Sequence, residues 1–92
     1  VPIVMESKPP LETPTRSKLL VPDTYTVAQT LITFRRFMPA LKPSQAVFAM
    51  IDDGNGASVL VPNSALVSHL FKQYGSPDGI LHIQLRAESA FG

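Results

Sequence analysis

The 92-residue sequence contains no cysteine and no tryptophan, and only 16% of its residues are charged. Without cysteine there can be no disulfide scaffold, no thiolate zinc site and no cysteine nucleophile. No apolar run approaches the length of about 18 residues that a membrane-spanning helix needs. The net charge is +1 and the basic residues are scattered, so there is no basic stripe typical of nucleic-acid-binding proteins. These values describe one small domain with a modest core.

Few side chains are suited to catalysis. His69 and His82 are the only side chains that titrate near neutral pH, and neither is spaced from a serine or aspartate as a nucleophile and its base would be. The stretch Asp52–Gly56 starts like a calcium loop, but Ala57 breaks the series of oxygen ligands and its Asp-Gly and Asn-Gly pairs favour a hairpin turn. We therefore predict no enzymatic activity, no metal site and no cofactor.

Hydrophobic periodicity predicts seven elements in the order β-β-α-β-β-α-β. Proline-rich or glycine-rich turns separate most of them. Strands are predicted at residues 1–5, 18–22, 46–51, 58–61 and 80–85, and helices at residues 26–38 and from Asn63 or Ser64 to residue 74.

The first predicted helix carries the strongest local signals. Thr26 and Gln29 have the spacing of a capping box, and Pro39 ends the helix. Gly75 suits the C-terminal end of the second helix. Packing of the first helix on one face of a mixed sheet gives an α+β fold. The residues that form its single apolar stripe are Val27, Leu31, Phe34 and Met38.

The second strand, Lys18–Pro22, is the best candidate for a binding surface. If it lies at a sheet edge, its free N–H and C=O groups can pair with an added peptide strand. Because apolar side chains point to both faces of this strand, we expect cover on both faces. Either a bound peptide or a preceding segment of this chain could provide it.

Apolar side chains around this strand would form two pockets. Leu19 and Val21 face Tyr25 and the first helix, and Leu20 faces the other way, towards Pro2 and Ile80. A peptide with two apolar anchors would fit them. Acidic residues beside those anchors would be favoured by the basic side chains Arg16, Lys18, Arg35 and Arg36.

The predicted domain covers residues 1–85, and residues 86–92 form a flexible tail that ends in Phe91 and Gly92. A glycine carboxylate on such a tail can enter a narrow enzyme channel because it has no side chain. A terminal glycine alone is weak evidence, since about one residue in fourteen is glycine.

Five stretches together resemble the autophagy-related protein 8 family of ubiquitin-like modifiers, which includes light chain three and the GABA-receptor-associated proteins. The stretches occur in the family's order over nearly the whole sequence. They are Val1-Pro-Ile-Val-Met-Glu6, Lys18-Leu-Leu-Val-Pro-Asp23, Thr26-Val-Ala-Gln29, Ala46-Val-Phe48, and Asp78-Gly-Ile-Leu81 through Phe91-Gly92.

The resemblance implies a ubiquitin-like β-grasp fold and a conjugation pathway. A cysteine protease would expose Gly92, and protease and activating enzyme would recognise Phe91 and Gly92. The activating enzyme would adenylate the carboxylate and take it as a thioester, and a conjugating enzyme would pass it to phosphatidylethanolamine. The modifier would then be cytoplasmic, and bound to the autophagosome membrane when lipidated.

The resemblance also implies a groove for receptors that carry short motifs with an aromatic and an aliphatic anchor flanked by acids. One of Arg35 and Arg36 would contact the ligand and the protease. The aromatic anchor would meet Pro2, Lys18, Leu20 and Ile80, and the aliphatic anchor would meet Leu19, Val21, Pro22 and Tyr25.

The sequence departs from the family in several places. Thr30 and Thr33 stand where the family has bulky apolar residues, and Leu19 replaces an aromatic residue. The family has two short helices before its first strand, whereas this sequence starts with that strand at Val1 rather than Met, so we expect a missing preceding segment or a short family member. Two alternatives remain: a modifier of the autophagy-related protein 12 type, joined to a protein lysine, and a ubiquitin-like binding module that is never conjugated.

Overall fold

The computed structural model describes residues 1–9 and 11–88 and contains the seven predicted elements in the predicted order. The predicted α+β class is confirmed. Phe91 and Gly92 lie outside the described residues. The elements are β1 (Pro2–Ser7), β2 (Lys18–Leu20), α1 (Val27–Arg35), β3 (Val47–Asp52), β4 (Ser58–Val61), α2 (Val67–Tyr74) and β5 (Leu81–Ala87).

The strands form one mixed sheet in the order β2-β1-β5-β3-β4. The last strand, β5, lies in the middle, parallel to β1 and antiparallel to β3. The pairs β1–β2 and β3–β4 are antiparallel hairpins. This is the predicted β-grasp arrangement, in which β2 and β4 form the two edges.

The core lies between one face of the sheet and the two helices. Alternate residues of β5, Leu81, Ile83 and Leu85, are each at most 1% exposed, as their period of two predicts. Phe34 and Val27 of α1 are fully buried against them. The single apolar stripe of α1 is thus confirmed.

The capping box of α1 is present as predicted. The hydroxyl oxygen of Thr26 accepts a hydrogen bond from the Gln29 backbone N–H at 3.3 Å, and Gln29 Oε1 accepts one from the Thr26 backbone N–H at 2.8 Å. The helix ends at Arg35, however, and not at Pro39. The Phe37 and Met38 amides donate to the carbonyls of Phe34 (2.9 Å) and Arg35 (3.1 Å), so the chain tightens into a final turn that still buries Met38.

The predicted start of α2 is wrong. The cap position is Leu66, which makes no side-chain cap hydrogen bond. The Val67 N–H instead donates to the carbonyl of Tyr25 at 2.9 Å, and the Val27 N–H donates to that of Ala65 at 2.9 Å. The two helix N-termini therefore satisfy each other's backbone groups across the fold, and Asn63 and Ser64 are not needed as caps.

Gly75 ends α2, but for a different reason from the one predicted. Its φ is −58°, so it does not adopt the left-handed conformation that usually favours glycine at a helix end. A Cβ at this position would lie 2.4 Å from the carbonyl oxygen of Phe71. Close approach to the helix backbone is what requires glycine here.

The turn between β3 and β4 is a hairpin connection, as predicted. Gly54 and Gly56 have φ values of +85° and +84°. The Asp52 carboxylate accepts from the Gly54 N–H at 2.8 Å, and that of Asp53 accepts from the Asn55 N–H at 2.7 Å. Both carboxylates therefore stabilise the turn itself. Across the described residues, no group of three or more His, Asp or Glu side chains is arranged to hold a metal ion.

The last strand continues two residues beyond Leu85, the predicted end of the domain. Arg86 and Ala87 pair with Phe48 and Val47 of β3. The Glu88 N–H then donates to the carbonyl of Ala46 at 2.9 Å. Backbone hydrogen bonding to the chain before β3 thus continues to the last described residue.

Within residues 1–9 and 11–88, neither helix has the length and apolar character needed to cross a membrane.

Candidate functional site

The strand β2 is an edge strand, as the binding hypothesis requires. In the pairing of β2 with β1, Leu19 lies opposite Ile3 and Lys18 lies opposite Val4. Backbone hydrogen bonds join Met5 N to Ser17 O (2.7 Å) and Val21 N to Val1 O (3.0 Å). They show which residue pairs of β1 and β2 are hydrogen-bonded to each other and which lie between those pairs. In an antiparallel pair the residues between such bonded pairs point their N–H and C=O groups outward. Lys18 and Leu20 therefore present their backbone groups to the free edge.

Leu20 is the most prominent apolar residue on this edge. Its side chain is 80% exposed, so the expected cover on this face is absent within the described residues. Pro2 is its Cα partner in β1, and Ile80 directly precedes Leu81, which pairs with Ile3 of β1. Pro2 and Ile80 are both half-buried. The register thus places these three residues at neighbouring positions of β2, β1 and the start of β5, and the first pocket stays a prediction.

Three of the residues predicted to form the second pocket lie in or against the core. Leu19 and Tyr25 are half-buried and pack against the core, while Val21 is only 4% exposed. Val21 therefore supports the surface from below and has little area of its own to offer a ligand. Pro22 is exposed and lies beyond β2, which ends at Leu20 and not at Pro22 as predicted.

The resemblance to the family implied that two threonines of α1, Thr30 and Thr33, stand where apolar residues would line this pocket. Thr30 is fully buried and donates from its hydroxyl to the Thr26 carbonyl at 3.0 Å. Thr33 does the same to the Gln29 carbonyl at 3.0 Å. Both hydroxyls are bonded to their own helix, so the substitution of apolar residues by threonine leaves no unpaired hydroxyl there.

The two adjacent arginines of α1 have different surroundings. The Arg35 guanidinium donates through Nη2 to the carbonyls of Lys42 (3.1 Å), Pro43 (3.3 Å) and Gln45 (3.0 Å). It holds the loop before β3 and does not bond to β2. Arg36 is exposed, and within residues 1–9 and 11–88 no ion pair involves Arg36 or Lys18. Arg16 has no ion pair among these residues either, and its guanidinium lies over the Phe37 ring, 5.7 Å from the centroid. Arg16, Lys18 and Arg36 thus remain the candidates for contact with acidic residues of a ligand.

Ser76, Asp78 and His82 form a polar network next to Ile80 that was not predicted from the sequence. Asp78 Oδ2 lies 2.9 Å from His82 Nε2, and Asp78 Oδ1 accepts from the Ser76 hydroxyl and from the Ile80 N–H, the latter at 2.9 Å. The serine bonds to the carboxylate and not to the imidazole, so this is not a nucleophile with its base. The network orders the turn that presents Ile80. The only signal in the sequence was the Ser-Pro-Asp-Gly turn ahead of the strand.

These hydrogen bonds lower the pKa of Asp78 from 3.8 to about 2, with the Ser76 hydroxyl as the largest cause and His82 next. A carboxylate whose pKa is lower in the folded than in the unfolded protein raises the free energy of unfolding at pH values above its unfolded pKa. This contribution is lost as the carboxylate becomes protonated, which we expect for Asp78 between about pH 4 and pH 2. Asp78→Asn, which cannot ionise, should flatten the pH dependence of stability in that window. Urea unfolding from pH 5 to pH 2 measures this, and equal slopes for both proteins would contradict it.

Comparison with known proteins agrees with this geometry. A family model described as "Autophagy protein Atg8 ubiquitin like" matches residues 1–92. The chain is 32% identical over 94 residues to autophagy-related protein 8 of Coccidioides immitis and to that of Neosartorya fischeri, covering 100% of this chain and 75% of each relative. The crystal structure of Trypanosoma brucei ATG8 matches with a TM-score of 0.82 and 28% identity over 100% of this chain and 76% of that one.

The sequence stretches, the fold and these matches all extend over the same residues. The family model covers the tail as well as the sheet and helices. This chain therefore belongs to the Atg8 family of ubiquitin-like autophagy proteins.

Proposed function

We propose that this chain is a modifier that is joined through Gly92 to the amine of phosphatidylethanolamine and that recruits receptors through the β2 edge. The observation that supports this most directly is family membership over the whole chain, including the terminal Phe91-Gly92. The reactive group is the Gly92 carboxylate, which an ATP-dependent activating enzyme converts first to an acyl adenylate and then to a thioester. A conjugating enzyme accepts the acyl group and transfers it to the lipid amine, forming an amide.

The partners that this pathway requires are the activating and conjugating enzymes, together with a cysteine protease if residues follow Gly92 in the gene product. In this proposal the chain is the substrate of these enzymes and not an enzyme itself. It would be cytoplasmic before conjugation and bound to the autophagosome membrane afterwards. Attachment through the lipid needs no membrane-spanning helix in the protein.

Receptor binding is the second half of the proposal. The free edge of β2 can accept a peptide strand, and the exposed Leu20 beside Pro2 and Ile80 offers an apolar contact to one side chain of that strand. Lys18 lies in the same strand, and neither Lys18 nor Arg36 has a carboxylate partner among the described residues. A motif with apolar anchors and acidic neighbours matches both the shape and the charge.

Reconstitution with the activating and conjugating enzymes, ATP and vesicles containing phosphatidylethanolamine tests conjugation. We expect an adduct of Gly92 with the lipid, detected by mass spectrometry, and none after deletion of Gly92. Gly92 in an isopeptide bond to a protein lysine would instead identify a modifier of the autophagy-related protein 12 type. The absence of any adduct, with cellular function retained after deletion of Gly92, would identify a non-conjugated binding module.

A further inference from the structure

A shallow groove of about 630 Å³ runs between α1, the chain that enters β3, and Glu88, which directly follows β5. Its apolar wall comes from Ala28 and Ile32 of α1 and from Val47 at the start of β3. Glu88 borders the groove, which does not include any residue of β2. The groove is therefore separate from the proposed receptor site and lies where the chain leaves the sheet.

One wall of this groove is fixed by side-chain hydrogen bonds. Arg35 holds three carbonyls of the loop before β3, as described above. The Gln45 amide then donates through Nε2 to the carbonyls of Ala46 at 2.9 Å and Glu88 at 3.2 Å. The loop before β3 is thus tied both to α1 and to the end of β5. These bonds fix the position of the groove relative to Glu88, so a protein bound in the groove is held at a defined distance from that residue.

Ile32 marks this groove as a contact surface. Among the described residues, the exposed large hydrophobic side chains are Leu20 at 80%, Leu60 at 61% and Ile32 at 59%. Leu20 belongs to the proposed receptor site, and Leu60 lies on the opposite edge strand β4. Ile32 is the one that lines the groove bordering Glu88.

The length of the tail limits where an enzyme that acts on Gly92 can sit. Gly92 is four residues beyond Glu88. A fully extended chain spans at most about 3.6 Å per residue, so Gly92 reaches no more than about 14 Å from Glu88. An enzyme that holds Gly92 in its active site must therefore lie against the surface around Glu88, and the groove at Ile32 is part of that surface.

We propose that this groove is a docking site for the enzyme that activates the Gly92 carboxylate, which inserts an apolar side chain against Ile32, Ala28 and Val47. The inference rests on the proposed conjugation through Gly92. The contact is distant from the reacting carboxylate and is made equally before and during the reaction. Loss of such a contact raises KM and leaves kcat unchanged.

The variant Ile32→Glu tests this. Glutamate is a good helix former and can pair with Arg36 one turn later, so α1 should be retained. We expect the KM for thioester formation with the activating enzyme to rise about tenfold with kcat unchanged, which is the loss of a contact worth about 1.4 kcal/mol. Ile32→Ala, which removes apolar area without adding charge, should raise KM by a smaller factor.

Leu60→Glu is the matched control, because Leu60 is as exposed as Ile32 and lies on the other edge of the sheet. It should leave the KM for activation unchanged. Far-UV circular dichroism should be the same for Ile32→Glu as for the unchanged protein, which separates a docking effect from unfolding. Receptor-peptide affinity should be unchanged in Ile32→Ala, which places no new carboxylate beside Arg36. An unchanged KM in Ile32→Glu, or an equal rise in Leu60→Glu, would overturn the docking site. Failure of the unchanged protein to form any thioester would instead overturn the proposed function.

Discussion

Replacement of Phe34 by alanine should lower the free energy of unfolding by about 3–5 kcal/mol. Phe34 heads the set of largest fully buried side chains, and it joins α1 to the inner face of the sheet. Alanine removes most of the apolar area and leaves a cavity that close-packed neighbours fill only in part. A domain of this size is stabilised by only about 5–14 kcal/mol, so a loss of about 3–5 kcal/mol removes between about a fifth and all of the total.

Urea unfolding followed by circular dichroism measures the effect of Phe34→Ala. The control is Ile32→Ala, two residues earlier in the same helix, where the side chain is exposed and the change should stay within about 0.5 kcal/mol. The melting temperature of Phe34→Ala should fall by at least about 12 °C. A loss below about 1.5 kcal/mol would contradict the packing of α1 on the sheet.

The features that could be predicted from the sequence are those that depend on residues close together in the chain. The stripe from Val27 to Met38 and the capping box of Thr26 and Gln29 need only helical spacing, and both are present. The alternation of β5 is equally local. The features in which the structure differs from the prediction depend on contacts between residues far apart in the chain. The Tyr25 carbonyl, rather than a side chain, caps α2, and pairing with β3 extends β5 to Ala87.

The candidate site follows the same division. The pattern of β2 predicted the opposite orientation of Leu19 and Leu20, because strand residues alternate between faces. Its edge position was a condition of the binding hypothesis and follows from the strand order of the sheet. The exposure of Leu20 could not be predicted, since an apolar side chain in a short strand usually indicates cover. The groove at Ile32 was missed because its walls come from segments far apart in the sequence, which only the fold brings together.

The three large hydrophobic side chains that are exposed in residues 1–9 and 11–88 lie on different surfaces. Leu20 lies on the β2 edge, Ile32 lies beside the exit of the tail, and Leu60 lies on the β4 edge. A single exposed leucine or isoleucine is common on protein surfaces and needs no explanation. Leu20, however, lies on an open sheet edge and Ile32 lies in a groove, and both kinds of surface can bind a partner. Receptor binding and enzyme docking can then be disturbed separately by single substitutions.

The substitution Leu20→Glu should weaken binding of a receptor peptide by at least about 30-fold, the loss typical of a central contact worth about 2 kcal/mol. The glutamate carboxylate would lose water against the apolar anchor of the peptide and would repel the acidic residues beside that anchor. The fold should be retained, because Leu20 is 80% exposed and charged side chains are well tolerated on edge strands.

Calorimetry with a peptide that carries an aromatic and an aliphatic anchor flanked by acidic residues measures the loss. Leu60→Glu, with the same change of charge on the opposite edge strand, should bind the peptide as the unchanged protein does. Lys18→Ala should weaken binding less and should reduce its dependence on salt, because Lys18 contributes charge at an exposed site. Unchanged affinity in Leu20→Glu would reject the β2 edge as the receptor site, whereas an equal loss in both glutamate variants would point to a general effect of charge.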